Sequence, residues 1–133
     1  MVDCISAREG WERLAADKDA VLVDVRMPAE WQSVGLPDLT TLDKNVVALS
    51  WDPYDAAGFA QALRDAVPDL ATPILFLCRS GVRSQQTAEL AAHLGYETSV
   101  NIVEGYEGPP DATGQRGHVC GWQFQDLPRY FPG

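Results

Sequence analysis

The sequence predicts an α/β domain built on a largely parallel sheet. Three observations carry this. Short apolar, β-branched runs alternate with segments of helical period; the runs are almost continuously apolar instead of alternating; and polar residues gather just past their carboxyl ends.

Ser6 and Glu9 have the form of a capping box, and Ala7, Trp11, Leu14 and Ala15 recur at helical spacing, which predicts a first helix over about 6–18. "AVLVDVR", 20–26, is a buried strand with a charged tip. Pro28 suits the first position of a short helical turn through Trp31. "LTTLDKN" is loop, and "VVALSW", 46–51, a second strand. Asp55 precedes a stripe of Ala56, Phe59, Ala60, Leu63 and Val67 that stops near Pro68. "PILFLC", 73–78, is the strongest strand signal in the chain. Residues 84–94 are rich in helix formers, with Gly95 placed to follow the C-cap. "TSVNIVEG", 98–105, reads as the last strand; glycine- and proline-rich loop follows to about 119, then a short turn at "GWQFQDLP".

At 133 residues the chain is expected to form one domain over 1–133, since a second would have no room for a core. The 19 acidic residues outnumber the 10 basic ones, a formal charge of −9 that argues against nucleic acid or an anionic membrane as partner. The N-terminus lacks the basic and apolar regions of a signal peptide, and no apolar run approaches the length of a membrane span. Cys4, Cys78 and Cys120 form no CxxC pair and no metal-ligand spacing, and their odd number cannot all pair internally. The expectation is a cytoplasmic protein that holds no metal or other cofactor.

In open parallel sheets the site lies beyond the carboxyl ends of the strands. Three segments put polar residues there: Asp24 with Arg26, Cys78 to Arg83, and Glu104 to Tyr106. The middle one, "CRSGVRS", has an evident chemistry. If the strand ends at Leu77 or Cys78 and the helix starts near Ser84, "RSGVR" must wrap tightly, with Gly81 adopting a backbone conformation other residues avoid. Amide groups can then turn toward the sulfur, while the helix N-terminus, Arg79 and Arg83 favour its anionic form. From Cys78 to Ala88 no residue is acidic. A thiolate so held is a nucleophile, and the same donors would stabilise a negative group attached to it. Cysteine is also a common buried strand residue, but the glycine and arginines that follow Cys78 favour the reactive reading.

"CRSGVRS" resembles the active-site loop of rhodanese-type sulfurtransferases, and "DVR" at 24–26 a motif at the end of an earlier strand in that family. The resemblance extends through "EW" at 30–31, "VGLPDL" at 34–39, "EGYEGPPDATGQRG" at 104–117 and "GW" at 121–122. It implies a rhodanese-like α/β fold: a five-stranded, mainly parallel sheet flanked by helices on both faces. It also implies a two-step reaction. Cys78 would take a sulfane sulfur from a small anionic donor such as thiosulfate, becoming a persulfide, and pass it to cyanide, a thiol or an acceptor protein. Arg79, Ser80, Gly81, Val82, Arg83 and Ser84 would form the substrate loop, with Asp24 supporting it and Arg26 beside the pocket; a surface salt bridge at a strand end is the plainer reading of that pair. Many rhodaneses carry a histidine-containing segment after "DVR"; here "SVGLPDL" has none. Arg79 agrees better with an oxyanion donor than with mercaptopyruvate, whose enzymes tend to have a small residue at that place.

Cysteine-dependent phosphatases and arsenate reductases use a related cradle, but with five residues between Cys and Arg. Here four, "RSGV", separate Cys78 from Arg83. A persulfide carrier or partner-binding module without free turnover stays open. Of the remaining residues, Cys4 is expected to pack in the first strand and Cys120 to be an ordinary thiol. His93 reads as a helix-terminal residue that complements the dipole. His118 is a distant candidate for the pocket, and Tyr106 or Trp122 for its rim.

Overall fold

The computed structural model describes residues 2–132. In chain order the elements are β1 (Val2–Ile5), α1 (Ala7–Ala16), β2 (Val21–Asp24), α2 (Pro28–Val34), β3 (Leu36–Pro37), β4 (Val47–Ala48), α3 (Ala56–Ala66), β5 (Ile74–Leu77), α4 (Val82–His93), β6 (Ser99–Ile102) and β7 (Arg129–Tyr130). Five strands form one sheet in the order β1-β6-β5-β2-β4, with every pairing parallel. β3 and β7 form a separate antiparallel pair.

The parallel sheet follows from its strands' composition. Burial on both faces demands apolar residues at every position, and β5 is buried throughout. Its alternate side chains feed two cores. Leu75 and Leu77 join Leu14 of α1 with Leu22, Val100, Ile102 and Trp122 on one face. Ile74, Phe76 and Cys78 join Phe59 and Leu63 of α3 with Ala88 and Ala91 of α4 on the other. The sheet is therefore flanked by helices on both faces.

Helix termini follow their caps. Ser6 accepts from the Glu9 amide at 3.1 Å while the Glu9 carboxylate accepts from the Ser6 amide at 3.2 Å, so the predicted capping box forms. The Asp55 side chain accepts from the Gly58 amide at 3.0 Å, starting α3. Gly95, at φ +104°, follows the last turn of α4 as expected.

Three differences matter. The strand expected over 46–51 is regular only at Val47–Ala48, although the Leu49 and Trp51 amides still donate to the Asp24 and Val25 carbonyls at 3.0 Å. β7 lies just past the last turn expected from the sequence, because its two residues are defined by pairing with the remote Leu36–Pro37 and not by any local period. Helix α4 begins at Val82, two residues before the expected start, because Gly81 at φ +100° turns the chain in a single step. Arg83 and Ser84 consequently belong to the first helical turn and not to the loop.

Register places the site. Asp24 pairs with Leu77, the Val25 amide donates to the Leu77 carbonyl at 2.8 Å, and Phe76 pairs with Asn101. The ends of β2, β5 and β6 are thus level, and Cys78 emerges between Arg26 and the turn that follows β6.

Candidate active site

Cys78 is only 1% exposed. Its Sγ accepts the Gly81 amide at 3.1 Å and lies 3.2 Å from Ser84 Oγ. One amide of the loop meets the sulfur, where the sequence suggested a set. Among the described residues the amides of Arg79, Ser80, Val82 and Arg83 have no hydrogen-bond acceptor. Those of Val82 and Arg83 are donors left over at the N-terminus of a 12-residue helix, where the macrodipole also favours negative charge. No acidic residue stands in the first turn of α4.

The backbone of this loop is held from the turn after β6. The Tyr106 amide donates to the Cys78 carbonyl at 2.8 Å, and the Glu107 and Gly108 amides donate to the Arg79 carbonyl at 3.0 and 3.1 Å. Contact is close enough that a Cβ at Gly81 would lie 2.2 Å from the Val103 carbonyl oxygen.

The two arginines differ in situation. Arg79 is exposed. Arg83 is partly buried and forks onto Glu30, Nη1 to Oε1 at 2.7 Å and Nη2 to Oε2 at 3.0 Å. Glu30 also accepts from the Met27 amide at 3.0 Å at the start of α2. Burial alone would raise the Glu30 pKa, but the Arg83 hydrogen bond, the Met27 amide and the charges of Arg83 and Arg26 outweigh it and hold the carboxyl below its ordinary value. The bond to Glu30 in turn raises the pKa of Arg83. The window free of acids along the chain is therefore not free of them in space, and Arg79 is the guanidinium left open. Glu30 appeared in the sequence only within "EW".

Asp24 and Arg26 are not a surface pair: both side chains are 0% exposed. Arg26 donates from Nη2 to Asp24 Oδ2 at 2.7 Å and from Nε to Oδ1 at 3.0 Å, and the Arg26 amide donates to Oδ1 at 3.0 Å. Nη2 also reaches the Gly35 carbonyl at 2.8 Å, and the guanidinium carbon lies 4.0 Å from the Tyr106 ring centroid. Tyr106, itself 0% exposed, donates its hydroxyl to the Val34 carbonyl at 2.7 Å. It is a floor beneath Arg26, not a rim, and burial raises its pKa. Trp122 is likewise 0% exposed and packs edge-on against Trp11. The sequence reads Trp122 mainly as packing, which it is, and offers either residue as a candidate for the rim, which neither is; their rings are too large and apolar to leave in water when a core is available.

Other side chains lie elsewhere. Cys4 is exposed on the edge strand β1 and is not a packing residue, with Sγ 3.6 Å from Gln85 Oε1. Cys120 is a free thiol beside Gly108; burial and the neighbouring Glu104 carboxylate raise its pKa, opposite to what an activated thiol needs. His118 is more than half exposed and meets Asp111 at 2.9 Å. His93 is exposed in the last turn of α4. A residue absent from the sequence-based list enters instead: Asn101 of β6, 1% exposed, accepts the Ser84 hydroxyl at 2.6 Å. Its signal was an amide side chain between the apolar Val100 and Ile102 of a strand expected to be buried.

A family model described as the STR4 middle domain matches residues 2–133. The chain is also 30% identical over 105 residues to rhodanese-like domain-containing protein 4 of Arabidopsis thaliana, covering 78% of this chain and 22% of that protein. The chain belongs to the rhodanese-like family. The crystal structure of Rv0390 from M. tuberculosis is 41% identical and superposes with a TM-score of 0.89 over 98% of both chains. A protein of Allochromatium vinosum named sulfurtransferase is 28% identical over 134 residues, covering 99% of this chain and 98% of its own length. The rhodanese-like fold read from the sequence is the fold observed.

Proposed function

We propose that the protein is a sulfurtransferase that carries a sulfane sulfur on Cys78. The observation that carries this reading is the position of Cys78 Sγ, bonded to one amide at a helix N-terminus whose next amides have no acceptor, with Arg79, the following residue, exposed.

In the first step the Cys78 thiolate attacks the outer sulfur of thiosulfate. The new S–S bond forms as the donor's own S–S bond breaks, and sulfite leaves with the electron pair. The product is a persulfide anion whose outer sulfur stands about 2 Å beyond a buried one. That sulfur is where the free amides and the helix terminus act. In the second step cyanide attacks the outer sulfur; thiocyanate leaves and the Cys78 thiolate returns. A thiol acceptor reacts in the same way, giving a persulfide of its own. Neither step calls for a cofactor. Open Arg79 suits an oxyanion donor such as thiosulfate. The Allochromatium vinosum relative's name supports the class of reaction.

The four-residue spacing from Cys78 to Arg83, with Arg83 turned onto Glu30, disfavours phosphatase or arsenate reductase chemistry, which surrounds a tetrahedral oxyanion. A second reading keeps the same first step but has the persulfide delivered to an acceptor protein without free turnover. The near-complete burial of Cys78 favours it no less than the first.

Incubation with thiosulfate should raise the intact mass by one sulfur, and cyanide or a small thiol should remove it. Thiocyanate produced over many turnovers indicates the free enzyme, whereas a single stoichiometric release indicates the carrier. If Cys78→Ala still acquires and transfers sulfur, the assignment fails.

A further inference from the structure

The geometry points to Asn101 as a positioning residue that holds the Ser84 hydroxyl proton away from Cys78 until the sulfur carries charge.

The argument is a count of protons. Asn101 Nδ2 faces the Gly81 carbonyl at 3.2 Å and Gln85 Oε1 at 3.0 Å, both acceptors, and Gln85 Nε2 is itself committed to Glu89 at 2.9 Å. The amide of Asn101 can therefore face only one way, with Oδ1 toward Ser84. Ser84 has one proton, and the 2.6 Å contact to Oδ1 takes it. Ser84 Oγ then meets Cys78 Sγ, 3.2 Å away, as an acceptor, so the resting sulfur is the donor: S–H to Oγ, O–H to Oδ1. Ser84 is 0% and Asn101 1% exposed, so water does not readily replace either partner.

A thiolate needs the reverse arrangement. Its formation requires the Ser84 proton to swing from Oδ1 to Sγ, which leaves a buried carbonyl without a donor. Once a second sulfur is attached, the negative charge resides on the outer atom, and the hydroxyl can return to Asn101. Asn101 thus favours the thiol, and then the loaded persulfide, over the bare thiolate. The functional consequence rests on the proposed sulfur transfer; the proton arrangement does not.

Alkylation of Cys78 by iodoacetamide, followed against pH by mass spectrometry, reads the proton arrangement with no sulfur donor present. Asn101→Val removes Oδ1 and leaves in place the charged groups at this end of the sheet, Asp24, Arg26, Glu30 and Arg83, together with exposed Arg79. The midpoint should fall by about half to one pH unit. In a Ser84→Ala background the same substitution should leave it unmoved. An unchanged or raised midpoint in the single variant, or a shift that persists without the hydroxyl, overturns the proposal.

Because a buried strand substitution can impair folding, a second measurement uses the wild type. The S–H stretching band that disappears in Cys78→Ala should lie below that of a thiol without an acceptor, and a band at the unbonded frequency overturns the proposal equally. In the loaded form, Asn101→Val should lower persulfide occupancy about three- to tenfold at a fixed thiosulfate-to-sulfite ratio. If Cys78 never loads in the wild type while the titration result holds, the function is wrong and the proton arrangement stands.

Discussion

Asp24→Asn is nearly isosteric, yet it is expected to be among the more damaging substitutions. It removes one charge from a pair in which both side chains are 0% exposed, and it turns either an amide nitrogen or a single carbonyl toward the guanidinium. Three side-chain hydrogen bonds of 2.7, 3.0 and 3.1 Å depend on the carboxylate, as does the 3.0 Å bond from the Arg26 amide. The Arg26 Nη1 atom is already buried without a partner, so the guanidinium has little in reserve. Leaving one member of a buried pair uncompensated costs about 3–5 kcal/mol. For 133 residues the unfolding entropy is about 0.28 kcal/mol/K, so the melting temperature should fall by about 10–18 °C. Circular dichroism melts at neutral pH measure this. The control is Asp24→Leu with Arg26→Met, which removes both charges and should stay within about 2 kcal/mol of the wild type. A loss below about 3 °C in Asp24→Asn, or a double variant as damaged as the single, would refute the claim that an uncompensated buried cation is the cause.

Two further outcomes follow from the same loops. Gly81→Ala combines φ +100° with a Cβ 2.2 Å from the Val103 carbonyl oxygen, so it should cost about 1–3 kcal/mol in a urea titration and slow sulfur loading at least tenfold by displacing the amide that meets Cys78. Glu30 has a folded-state pKa below its ordinary 4.5, so its pairing with Arg83 contributes fully above that pH and is lost as pH falls through the lower, folded value. The melting-temperature gap between wild type and Glu30→Gln should accordingly be widest near neutrality and close below about pH 4.5; a gap that widens on acidification would contradict it.

Much of this was legible because local physics and global fold agree. The apolar run of β5, the capping box at Ser6 and Glu9, and Gly81 between a strand and a helix each point to one conformation, and each adopts it. What was illegible depends on partners distant in the chain. Nothing near residue 83 announces Glu30, 53 positions away, or shows that Arg83 is tied to it. For Asp24 and Arg26 a surface pair stood beside a place at the pocket, because strand ends commonly reach solvent; here the turn after β6 brings Tyr106 across them. The β3–β7 pair likewise exists only through closure of a long loop.

Among the described residues beyond β6 the one regular element is the two-residue strand β7, yet the amides of Tyr106, Glu107 and Gly108 in this segment grip the carbonyls of Cys78 and Arg79. Load-carrying sheet and reactivity are thereby divided between two parts of the chain. Sequence drift at the exposed positions of 103–128, with the core residues Tyr106, Trp122 and Leu127 kept, should alter the chemistry proposed for Cys78 while leaving the sheet intact, so this tail is the place to look for divergence among relatives and the place to begin redesign.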